Sequence, residues 1–172
     1  MINKIYEDIS ETFSNVDKKD LKVCVLGIGS DLRGDDVAGL LVVDFLSRRC
    51  INFDNSDVKN KLHVIYGSTA PENATGDIKR SNPTHLVVVD SADMGLNPGD
   101  VQILGEEQIG GVSFSTHMLP LSVMIQYLKN SIDFKTVIVG IQPKDIGFGA
   151  ATNIEVTRSS EIIANAILKA VE

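Results

Sequence analysis

Three aspartates crowd one short stretch of the chain: "GIGSDLRGDD", residues 27–36, carries Asp31, Asp35 and Asp36 among its glycines. Carboxylates at that density can hold a divalent cation or stabilise the start of a helix. A glycine-rich turn after an apolar run can instead cradle a pyrophosphate on backbone N–H groups. That alternative fails on charge, because an incoming phosphate would meet carboxylates competing for the same amides. The second apolar run ends in Tyr66 where a ribose would need an acid, and the third glycine of the dinucleotide spacing is missing. A metal ion suits the residues better, since "SFSTHMLP", residues 113–120, adds one histidine, His117. The plainer role remains open beside it: an Asp at a helix N-cap is worth about 1 kcal/mol, so Asp35 can cap while Asp36 faces a crevice.

These residues need a scaffold that brings distant loops together. "KVCVLGI", "HVIYG", "HLVVVDSA" and "KTVIVGI" are short Val/Ile-rich runs that read as strands buried on both faces. Helical patterns alternate with them at 36–49, 72–80 and 120–130, and in the C-terminal "RSSEIIANAILKAVE". "DVQIL", residues 100–104, follows a turn signal and reads as an antiparallel edge strand. The predicted class is therefore α/β: a single three-layer domain with a twisted, mostly parallel sheet of about five strands and helices on both faces. Ile2, Ile5, Ile9 and Phe13 predict an amphipathic helix within an N-terminal extension, residues 1–20, ahead of the main domain at 21–172. In such sheets ligands gather at the carboxyl ends of the strands. The loops predicted there are "GSDLRGDD", "GSTAPEN", "DSADMGLNPG" and "QPKDIGFG".

Composition narrows the function. A net charge of −7 argues against nucleic acid or an anionic membrane as partner. Two cysteines, Cys24 and Cys50, with no closely spaced Cys/His cluster, suggest neither a disulfide framework nor a zinc knuckle, and Cys24 reads as core packing. No run reaches the roughly 18 apolar residues of a membrane span, so a cytoplasmic protein is expected. His63 and His85 open strands and are expected at the surface. Asp90 ends the third strand, where it can orient His117 or hold a turn. Ser115 and Thr116 lack the Gly-x-Ser-x-Gly elbow of a serine nucleophile.

The stretches "VLGIGSDLRGDD", "GSTAPEN", "VVVDSADMGLNPGDVQIL", "STHMLPL" and "VGIQPKDIGFG" resemble, in order, the maturation endopeptidases of nickel-iron hydrogenases, and are most similar to the branch serving hydrogenase 3. The resemblance covers the chain from about residue 22 onward. It implies a cytoplasmic, metal-dependent protease of aspartic type that removes the C-terminal peptide of a nickel-loaded hydrogenase large-subunit precursor, working as a monomer. It also implies that nickel is carried by the substrate on cysteine thiolates, with no nucleotide involved. The catalytic and metal-binding positions fall on Asp36 and His117. The family's third ligand, an aspartate, falls on Tyr66, and a neutral phenol with pKa near 10 is a poor nickel ligand. Either two protein ligands suffice, or Asp90 or Glu72 contributes, or the chain is a non-catalytic chaperone that docks the same precursor. Hydrolysis could draw on a metal-activated water or on polarisation of the scissile carbonyl, and both routes stay open.

Overall fold

The computed structural model describes residues 2–52, 56–105, 113–114 and 118–172. Val23–Ile28 forms β1 and is buried at every position, as expected of a strand covered on both faces. It pairs in parallel with β2 (Leu62–Ser68) on one side and β3 (His85–Asp93) on the other. β3 pairs in parallel with β6 (Lys135–Ile141), whose far edge takes β4 (Val101–Gly105) antiparallel. The order across the sheet is β2-β1-β3-β6-β4, the mostly parallel sheet with an antiparallel edge that the sequence predicts. A two-residue β5 (Ser113–Phe114) pairs with Ala92 and Asp93 beyond the end of this path.

Helices cover both faces. α1 (Ile2–Phe13), α2 (Ala38–Asn52), the short α3 (Ser56–Lys61) and α6 (Ile154–Val171) share one core with Val23, Val25, Val87 and Val89. α4 (Thr75–Ser81) and α5 (Met118–Lys129) share the other with Cys24, Leu26, Leu86 and Val88. That alternation along β1 and β3 follows from the twofold repeat of a strand. α1 lays Ile5, Ile9 and Phe13 into the first core, so the predicted amphipathic helix is packed against the domain. α2 lies so close to the sheet that a Cβ at Gly39 would come within 2.2 Å of the Val89 carbonyl oxygen. Glycine there lets α2 start directly over the ends of β1 and β3. Among the described residues no helix is long and apolar enough to cross a membrane.

The structure differs from the sequence reading in places. α3 was not expected: six polar-rich residues carry too little periodicity to signal a helix. The helix predicted over 72–80 divides into a 3-10 turn, Pro71–Ala74, and α4, because Pro71 starts the first turn. α6 begins earlier than its apolar pattern, where Asn153 caps it by accepting the Glu155 N–H at 2.8 Å. His63 is exposed as expected, but His85 is fully buried against α1. Its Nε2 lies 3.2 Å from the Asn15 amide, its Nδ1 lies 3.0 Å from Thr84 Oγ1, and its ring meets Phe13 edge-on.

Candidate active site

β1 is followed spatially by β2 on one side and β3 on the other, so the chain reverses direction across the sheet between β1 and β3. The crevice at such a switch point is where an open α/β sheet holds its ligand. Asp36 sits there, in a 3-10 turn, Gly34–Val37, that leads straight into α2. It is 4% exposed, and its Oδ1 accepts a hydrogen bond from Ser91 Oγ at 3.0 Å. Among the described residues its Oδ2 receives no hydrogen bond. One oxygen is therefore held against the end of β3.

Asp35, next door, has a different task from the one the sequence suggested. Arg33, not Asp35, occupies the N-cap of the turn, and no side chain caps it. The fully buried Asp35 carboxylate instead reaches the loop after β6: Oδ2 accepts the N–H groups of Lys144 at 2.7 Å and Asp145 at 3.1 Å, and Oδ1 accepts that of Asn153 at 2.6 Å. The two loops are also joined through their backbones, with Asp35 N–H donating to the Asp145 carbonyl at 2.8 Å and Gly149 N–H to that of Leu32 at 2.9 Å. Gly34, at φ 46°, makes this approach possible, since a Cβ would sit 2.4 Å from the Asp145 carbonyl oxygen. Gln142 ties in the loop after β3: Oε1 accepts from Met94 N–H at 2.7 Å, and Nε2 donates to Asp93 Oδ1 at 3.2 Å. Two buried polar side chains thus hold three loops in one arrangement.

The other sequence candidates are spread around this centre. Asp90 is fully buried near the end of β3, and by alternation it falls on the face covered by α4 and α5. Tyr66 is 51% exposed on β2 and forms one wall of a groove of about 540 Å³ with Ser30, Leu32, Leu40 and Leu41. Glu72 is exposed on the 3-10 turn after β2. His117, with Ser115 and Thr116, lies outside the described residues, between β5, which pairs with the end of β3, and the start of α5. Among the described residues no three His, Cys, Asp or Glu side chains converge as a metal cage. Cys24 is buried as expected, and burial pushes its thiol up to about 12, which removes it as a nucleophile. Both cysteines are free.

With this geometry in place, comparison with known proteins is informative. The family model for hydrogenase maturation proteases matches residues 42–171. The chain belongs to this family. It is 38% identical over 125 residues to the hydrogenase 3 maturation protease of Escherichia coli, covering 72% of this chain and 74% of the relative. A Methanocaldococcus jannaschii protein provisionally named a hydrogenase maturation protease is 38% identical over 157 residues, or 88% and 89% of the two chains. The crystal structure of the NiFe hydrogenase maturation protease HycI from Thermococcus kodakarensis superposes with a TM-score of 0.80 at 26% identity, covering 95% of this chain and 98% of that one. The α/β fold read from the sequence is thus the fold of the family.

In this member of the family several residues that hold the loops together carry no signal in the sequence. Ser91 and Gln142 are ordinary polar residues at strand ends, and only the register that sets β3 beside β1 and β6 gives them partners. A bulge between β1 and β2, where Gly27 faces Tyr66 but Ile28 faces Ser68, was equally silent, although Ser68 adopts a positive φ of 50° there.

Proposed function

We propose that this chain is an endopeptidase that removes the C-terminal peptide from the nickel-loaded precursor of a NiFe hydrogenase large subunit. The observation that carries the reading is Asp36, a nearly buried carboxylate at the switch point with one oxygen held by Ser91 and no hydrogen bond to the other among the described residues. Family membership supports the reaction class, and the relatives' names support a hydrogenase as the protein that is matured.

The chemistry follows from that carboxylate. Substrate-borne nickel, held by precursor thiolates, would supply Lewis-acid character at the scissile bond. Asp36 offers it a hard oxygen donor, and His117, in the loop before α5, is the proposed imidazole partner. Asp36 also stands where it can accept a proton from an attacking water, with Ser91 holding its orientation. Asp90 is proposed to orient His117 or to supply a substitute oxygen, and Tyr66 to stand at the edge of the site. Reaction in the cytoplasm by a monomer accords with this reading.

Incubating purified protein with a large-subunit precursor, nickel-loaded or nickel-free, tests it by mass spectrometry. Shortening of the loaded form alone, lost in Asp36→Asn, is the expected result. Tyr66 favours one other reading, in which the missing carboxylate leaves a precursor chaperone. Binding of loaded precursor without any cleavage would select the chaperone and overturn the protease.

A further inference from the structure

Exposed apolar side chains are not scattered evenly over this molecule. Of the eight large ones among the described residues, only Val123 and Tyr127, on α5, lie away from the carboxyl end of the sheet. Phe148 is the extreme case at 81% exposed, with Leu32 at 59% and Ile146 at 42%. Large apolar side chains exposed together at one end of a sheet are candidates for a binding surface.

These three side chains share one rigid platform. Leu32 belongs to the loop after β1, Ile146 and Phe148 to the loop after β6, and the two loops are fastened to each other. The Gly149 N–H donates to the Leu32 carbonyl at 2.9 Å, and Arg33 Nε donates to the Ile146 carbonyl at 3.2 Å. The Gly147 N–H donates to Asp145 Oδ1 at 2.7 Å, which holds the turn that projects Phe148. Asp35 secures the base of the same loop from beneath. The apolar groups are therefore presented to solvent by polar bonds underneath them, and binding them would cost little ordering. Leu32 also lines the groove that runs along Leu40 and Leu41 of α2 to Tyr66.

We propose that Phe148, Ile146 and Leu32 form a docking edge that grips an apolar segment of the precursor beside its scissile bond, and so set substrate affinity. This rests on the reading of Asp36 as the reacting carboxylate. The occupant is argued from continuity: the loop that carries Leu32 is the loop that carries Asp36, so a polypeptide delivered to that carboxylate passes along this edge. The edge makes no demand on the chemistry itself, since none of its side chains carries a titratable or nucleophilic group.

The test uses a precursor that the wild-type protein cleaves. Phe148→Ser and Leu32→Ser are expected to raise KM at least tenfold with kcat within about twofold, and Phe148→Leu to restore most of the affinity. Thermal unfolding should be unchanged, because the ring contributes little to the core. Titration of precursor onto Asp36→Asn, with and without Phe148→Ser, reads binding apart from turnover, and a tenfold weaker Kd is expected in the double variant. Unchanged KM and Kd in both serine variants would overturn the docking edge alone. Cleavage by Asp36→Asn at the wild-type rate would overturn the catalytic reading alone. Self-association in sedimentation that Phe148→Ser abolishes, with precursor affinity intact, would assign the edge to a second copy of this chain and overturn the proposal.

Discussion

At the candidate site Asp36 is the proposed reacting group, and Ser91, Asp35 and Gln142 hold the loops around it. Asp36→Asn keeps an acceptor for Ser91 and a near-identical shape, so stability should shift by no more than about 1 kcal/mol while cleavage is lost. Activity assays paired with urea unfolding check both halves of that statement. At position 66, Tyr66→Asp would add a hard oxygen beside the groove, and tighter nickel binding in titration calorimetry at neutral pH is expected. Equal affinity in the two forms would show that position 66 faces no metal and shift the third-ligand role toward Asp90. The sequence singled out Asp36 because a carboxylate pair after a glycine turn has few roles, and the structure places it nearly buried against Ser91 at the end of β3. The role of Asp35 was misread for a physical reason: local spacing suggests a cap, whereas its three partners lie more than a hundred residues away.

At the scale of elements, those three hydrogen bonds make one buried carboxylate the fastening between the turn before α2 and the start of α6. Asp35→Ala leaves three backbone N–H groups without their acceptor, and hydrogen bonds to a charged group contribute roughly 1.5–3 kcal/mol each. A loss of about 3 kcal/mol or more is expected from equilibrium denaturation. Amide exchange should rise first at Lys144, Asp145 and Asn153, and a variant with unaltered exchange there would contradict the fastening role. The strands around it were readable because β1, β3 and β6 are continuous apolar runs buried on both faces. α3 and β5 were not, being too short for any periodicity to accumulate, and Ser91 and Gln142 became visible only when strand order was known.

For the whole molecule, the buried His85 joins α1 to the sheet and makes stability depend on pH. Burial first, and then the nearby Lys135 charge, lowers its pKa from 6.5, so the folded chain keeps the imidazole neutral while the unfolded chain can protonate it. This contribution is complete above about pH 6.5 and is lost as pH falls through that value. Wild-type protein should lose stability on acidification through pH 6, and His85→Gln should show a flatter profile in the same window, measured by urea midpoints at each pH. The packing of α1 has a temporal consequence as well. Its apolar face rests on α6, with Lys169 Nζ over the Tyr6 ring at 4.2 Å, so the first helix of the chain finds its partner only in the last. The same α6 is the element whose leading residue Asn153 is grasped by Asp35. During vectorial synthesis α1 lacks the apolar cover that α6 supplies until α6 has been made, whereas the loop bearing Phe148 can already close on Leu32 and Asp35.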